Sequence, residues 1–195
     1  MGRGPRAAAK LLGMKVRSVA LEDATAIARV HVDSWRTTYT GLLPDEVIAA
    51  QTVESREASW RRQIAAVLED PRRGVILVAE DDDLGVVGFT SAGPERERDA
   101  DNDAELYTIY LLEQHQGRRF GRLLFEGAVA CLVQRGHRSM RVWVLAGNPA
   151  EGFYVHMGGR RSIEKALPIS AGRFIEVAYV WPDLRGLTGG RTDPS

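Results

Sequence analysis

Two stretches decide the reading of this chain: HQGRRFGRLLFEGA at 115–128 and VWVLAGNPAEGFYVHMGG at 142–159. In the first, a polar run carrying Gly117 and Gly121 opens directly into an apolar helical pattern. The first amides of a helix have no carbonyl partner within it, so such a turn offers free N–H groups to an anion. Arg118, Arg119 and Arg122 add positive charge around the same turn. The spacing is neither the GxGxxG of dinucleotide folds nor the GK[ST] of nucleotide-hydrolysing loops. In the second stretch, Asn148 before Pro149, with Glu151 three residues on, has the form of a capping box. Phe153 and Tyr154 follow one turn later, and taken alone such an aromatic pair reads as core packing.

Working outward, a strand at 106–112 leads into the first stretch and a strand at 140–145 into the second, with a helix at 123–134 between them. Upstream, a short strand at 16–19 precedes three helical patterns: one carrying Ile27, Val30 and His31, one opened by Pro44, and one with Trp60, Ile64, Val67 and Leu68. β-rich runs at 75–79 and 86–90, joined by Asp81, Asp82 and Asp83, read as an antiparallel hairpin. ERERDADND at 95–103 reads as a solvated connector, with a minority reading in which Asp99, Asp101 and Asp103 attract a cationic amine. Strands at 160–166 and 174–181 close the pattern.

The 195 residues, 44% hydrophobic, fill one core. The reading is a domain at 14–183, a disordered leader at 1–13 and a flexible tail at 184–195. Lys and Arg total 26, as do Asp and Glu, so no net basic field points to nucleic acid or an anionic membrane as partner. No apolar run reaches the roughly 18 residues a membrane helix needs. The single cysteine, Cys131, reads as a packed thiol, and His31, His115, His137 and His156 fall in different elements. Neither a metal site nor a Ser-His-acid arrangement emerges, and a soluble cytoplasmic protein is expected.

Taken together, the two stretches resemble the paired cofactor-binding motifs of the GNAT superfamily of acetyl-CoA-dependent N-acetyltransferases, a likeness that covers roughly 105–159. The family pattern of Gln or Arg, two residues, Gly, one residue, then Gly or Ala aligns on Gln116, Arg119 and Gly121. Arg119 departs from it, and a positive φ there would be strained. Asn148, Pro149, Ala150, Phe153 and Tyr154 match NPAxxFYxxxGF, with Gly159 in place of the last aromatic.

The resemblance implies an α/β (α+β) fold: a mixed, mostly antiparallel sheet of six to seven strands flanked by helices, splayed between two central parallel strands to hold CoA. It implies acetyl-CoA as cofactor, with backbone at Ile109, Tyr110 and Leu111 along the pantetheine arm. Gln116, Gly117, Arg118, Arg119, Phe120, Gly121 and Arg122 would hold the phosphates, with Asn148, Phe153 and Tyr154 alongside. Tyr154 would protonate the CoA sulfur, and the amide of Leu111 would bind the thioester oxygen. Glu105, on the face that strand alternation gives to Tyr107, Ile109 and Leu111, is a candidate base, with water as its rival. Trp35, Arg36 and Tyr39 are candidate walls of the acceptor site. The expected partner is a small-molecule amine. Protein or peptide acetylation and a non-catalytic acetyl-CoA-binding module are the alternatives, and a homodimer is an open option since dimers are common in the family.

Overall fold

Alternating apolar runs build one mixed sheet in the computed structural model, which describes residues 10–11, 14–97, 101–169 and 172–188. Among these residues the strands are β1 (Lys10–Leu11), β2 (Met14–Ser18), β3 (Val75–Asp81), β4 (Gly85–Pro94), β5 (Ala104–Leu111), β6 (Met140–Leu145), β7 (Arg160–Ile169) and β8 (Gly172–Trp181). They lie in the order β1-β2-β3-β4-β5-β6-β8-β7. Only β5 and β6 run parallel, and their contact is brief: Ala104 pairs with Met140 and Glu105 with Arg141. Beyond these two pairs the strands diverge, leaving residues 106–111 of β5 and 142–145 of β6 facing an open gap.

Helices α1 (Ala24–Tyr39), α2 (Asp45–Ala49) and α3 (Val53–Glu69) cover one face, and α4 (Phe120–Gln134) and α5 (Ala150–His156) the other. The period-two alternation of β3 feeds both cores. Val75, Leu77 and Ala79 point to the α4 side with Phe120, Leu124 and Phe125, whereas Ile76 and Val78 join Ile27, Trp60 and Ile64 beneath α1 and α3. Each such large apolar side chain contributes about 1.5–3 kcal/mol by leaving water.

An irregularity in β5 matters for the site. Its register with β4 steps from Ser91↔Thr108 to Ala92↔Leu106, leaving Tyr107 as an extra residue. A bulge of one residue reverses the alternation. Ala104 and Leu106 before it, and Ile109 and Leu111 after it, therefore all pack towards the α4 core. Glu105 does not share a face with Ile109 and Leu111, contrary to the alternation drawn from sequence.

Other boundaries also move. The two-residue β1 falls inside the segment read as a leader and adds a short edge strand to the expected sheet of seven, β2 to β8. The other leader residues lie outside the described ones. At the far end Leu184 is fully buried and Arg185–Thr188 forms a short helix, α6, so packing continues past residue 183; residues 189–195 lie outside the description. The charged connector is also no mere solvated loop. Glu95 and Glu97 both pair with the buried Arg141, the latter at 2.9 Å, and Glu97 also takes Lys165. Asp103 accepts the amides of Arg138 and Ser139 at 3.0 and 3.1 Å, while residues 98–100, Asp99 among them, are not described.

Candidate active site

The donor half of the gap is made of backbone. Leu112 N–H donates to the Val87 carbonyl at 2.9 Å, which makes that pair a hydrogen-bonded one. Antiparallel ladders alternate, so Tyr110 with Phe89 is the next bonded pair, and Leu111 with Gly88 and Ile109 with Thr90 are not. The N–H and C=O groups of Ile109 and Leu111 consequently point away from β4 into the gap. The Leu111 carbonyl is met there by Gln116 Nε2 at 3.3 Å and Ser34 Oγ at 3.4 Å. The backbone of Tyr110 is engaged with β4, so only two of the three expected strand residues can present theirs to a ligand.

After a 3-10 turn at Glu113–His115, the chain takes a left-handed conformation twice, at Gly117 (φ 72°) and at Arg119 (φ 67°), which is the N-cap of α4. Glycine does this freely. Arginine does not, and the strain anticipated from sequence, roughly 1 kcal/mol, is present. In return, the amides of residues 117–121 donate to no described residue. A cradle of unpartnered amides at a helix start, with Arg119 and Arg122 on the cleft wall, fits a pyrophosphate. Phe120 contributes its amide alone, since its side chain is fully buried in the core, and Arg118 does not line the cleft. A methyl group on Gly121 would stand 3.4 Å from the ring of Phe153, an ordinary contact.

On the opposite wall Asn148 Oδ1 accepts the Ala150 amide at 2.9 Å. Glu151 reaches back to the Gly147 amide at 2.7 Å, one residue earlier than a capping box requires, and its other oxygen accepts the Tyr179 hydroxyl at 2.7 Å. These bonds fix the start of α5. They hold Tyr154 in the gap among the rings of Phe153, Tyr179 and Trp181. Its hydroxyl bonds to no other described residue. Burial, and after it the nearby Tyr39, pushes the phenol well above its ordinary value, so it stays protonated at any working pH.

The cleft, ≈ 840 Å³, continues through the sheet to the α1 face. Ser34, Thr37, Thr38 and Tyr39 of α1 line that end together with Tyr107, Thr108, Tyr110 and Trp143. Behind them, Trp35 Nε1 donates to the Tyr110 hydroxyl at 3.0 Å, and the Tyr39 and Tyr110 hydroxyls stand 3.5 Å apart. Burial lifts all three tyrosines here: Tyr107 to about 12, Tyr110 well above the usual value and Tyr39 also upward. Deeper still, Trp60 Nε1 donates to His31 Nδ1 at 3.1 Å, and desolvation followed by the charge of Arg56 lowers the imidazole to about 3.

Of the residues expected to form the site, Ile109, Leu111, Gln116, Gly117, Arg119, Gly121, Arg122, Asn148, Phe153, Tyr154 and Tyr39 share this cleft, as does the Tyr110 side chain. Trp35 braces Tyr110 from behind. Arg36 points outward, exposed, with Asp33 3.9 Å away. Glu105 is not among the lining residues: its carboxylate is buried and paired with Arg96, at 3.1 Å for one of the two bonds. Sequence reading missed Thr37, Tyr107, Thr108 and Trp143. Alternation on β6, with Val142 and Val144 in the α4 core, could have flagged Trp143, whereas the bulge that presents Tyr107 has no signature in its residues.

The family model described as Acetyltransferase (GNAT) family matches residues 31–158. An uncharacterized N-acetyltransferase YuaI of Bacillus subtilis is 40% identical over 172 residues, 88% of this chain and 95% of that protein. A spermidine N(1)-acetyltransferase of Thermoplasma acidophilum is 20% identical over 148 residues, covering 76% of this chain and 88% of the other. Among solved structures, the PaiA N-acetyltransferase of Thermoplasma acidophilum in complex with coenzyme A has the same fold. It is 21% identical with a TM-score of 0.66, over 85% of this chain and 98% of that one.

Proposed function

Since the chain belongs to the GNAT family and is an acetyl-CoA-dependent N-acetyltransferase, we propose that it acetylates a small primary amine by direct attack within a ternary complex. One observation carries this reading: the chain from the end of α1 to α2 closes one side of the cleft beside Tyr39. Trp35, Tyr39, Leu42, Leu43 and Ile48 pack against Leu145 of β6 and Phe174 of β8. An extended peptide needs an open groove, and this segment closes one side of it.

Acetyl-CoA supplies an activated thioester carbonyl. The Leu111 amide, fixed by β5 and aimed into the gap, donates to the carbonyl oxygen as negative charge develops there; a donor already in place loses nothing to reorganisation. Tyr154 donates its phenolic proton to the departing sulfur. An ordinary thiol titrates near 8.5 and a raised tyrosine lies above 10, so the phenol does not remain ionised. It recovers its proton from the nitrogen that attacked, by way of water, and the balance closes with an amide and a free thiol. Water also takes the first proton from the incoming ammonium. Glu105 remains outside this scheme because Arg96 holds it away from the cleft.

The test is release of free CoA thiol across small amines and across peptides bearing a free N-terminus or lysine. Turnover confined to small amines is expected. Faster release with peptides would replace this reading by protein acetylation, and tight CoA binding without release from any acceptor would make the protein a binding module.

A further inference from the structure

The charged side chains that line the cleft are unevenly placed. Glu113, Arg119 and Arg122 all belong to the donor end, around the start of α4, as does the imidazole of His156 at the end of α5. At the acceptor end the lining, among the described residues, is neutral: hydroxyls from Ser34, Thr37 and Thr108, and the rings of Tyr39, Tyr107 and Trp143. The phenols are held protonated by burial. The indole Nε1–H of Trp143 is a donor that no described residue accepts, and a donor offers nothing to a cation.

Carboxylates do stand behind this wall, but the chain's own cations occupy them. Arg96 takes Glu105, Arg141 takes Glu95 and Glu97, and Lys165 takes Glu97 while lying 3.6 Å from Glu176. Glu176 is the one whose charge reaches Tyr39. The Lys165 ammonium also lies 4.0 Å above the Trp143 ring, so the aromatic face that would suit a cationic ligand holds an internal one. A second positive charge on an acceptor would leave water here without a counter-ion.

Resting on the small-amine reading above, we infer that the acceptor carries one amine and an otherwise uncharged body, aromatic or aliphatic, and that polyamines are excluded. The aromatic and hydroxyl wall receives the body while the amine, arriving neutral, meets the thioester. In this the chain differs from the relative named for spermidine.

The experiment compares kcat/KM for 2-phenylethylamine and spermidine by thiol release, in the wild type and in Thr37→Glu. Thr37 is an exposed α1 residue on the cleft wall, and glutamate suits a helix. The wild type should favour 2-phenylethylamine by about tenfold or more, equivalent to about 1.4 kcal/mol. In Thr37→Glu the spermidine value should rise at least severalfold as a carboxylate enters the wall. Equal rates, or a preference for spermidine, in the wild type overturn the inference while leaving the small-amine reading intact. Failure of Thr37→Glu to help spermidine overturns the role given to the wall. Release with peptides alone removes both the inference and the reading beneath it.

Discussion

The two ends of the cleft are built by different means. At the donor end the groups that would hold the ligand are amides: those of Ile109 and Leu111 on a strand edge and those of residues 117–121 at a helix start. Their positions follow from a ladder and two left-handed residues, so most side chains there are replaceable. The acceptor end is a mosaic of side chains from α1, β5 and β6, braced by a buried layer of Trp35, Trp60 and His31. A backbone site tolerates drift in sequence while keeping its ligand, and a side-chain site can change its ligand with one substitution. That contrast explains how a cofactor site can be legible from sequence when the acceptor is not.

The largest effect expected is at Tyr154, the donor-end side chain to which the proposed mechanism gives a chemical task. Tyr154→Phe should lower kcat about 100-fold while acetyl-CoA affinity by calorimetry stays nearly constant, because only the leaving-group proton is removed. An unchanged kcat would leave the phenol without a role. Gly121→Asp tests whether the cradle acts through charge. An acidic residue in the first turn favours the helix, so the melting temperature should hold or rise while CoA affinity falls about tenfold. Equal affinity would break the assignment of the amides at 117–121.

At the acceptor end the buried layer should make the fold sensitive to acid. His31 is neutral in both states above its ordinary value of 6.5, and below that the unfolded chain takes up a proton that the folded one refuses until about 3. Stability is therefore fully present above 6.5 and declines as pH falls towards 3, by up to about 1.4 kcal/mol per pH unit. Urea midpoints measured against pH should show this slope, and His31→Gln should flatten it. Glu105→Gln should cost about 1–2 kcal/mol by weakening the Arg96 pair yet leave kcat unchanged; a collapse of kcat with stability intact would return Glu105 to the mechanism. The smallest effect is Arg119→Gly, which should raise stability by roughly 1 kcal/mol by relieving a left-handed arginine.

What sequence reading reached, and what it missed, follows the same division. The turn around Gly117, the helix it opens and the pair Asn148 and Tyr154 are local patterns whose geometry is set by neighbours a few residues away. The strained Arg119 could be anticipated for the same reason. Glu105 was misplaced because one extra residue at Tyr107 reverses strand alternation, and a bulge is decided by the partner strand rather than by its own residues. Glu95 and Glu97 read as solvated because the cations that pair with them, Arg141 and Lys165, come from strands 44 residues or more away. Tyr107 is a cleft wall only because that bulge turns it, whereas Trp143 follows from plain alternation on β6, where Val142 and Val144 enter the α4 core.

Amide hydrogen exchange on addition of CoA tests the central claim most directly, because it reads the alternation itself. The amides of Ile109 and Leu111 and those of residues 117–121 should gain protection together, while that of Tyr110, already bonded to β4, should not change. Protection of Tyr110 in place of its neighbours, or no change at 117–121, would contradict a donor site made of backbone in this gap.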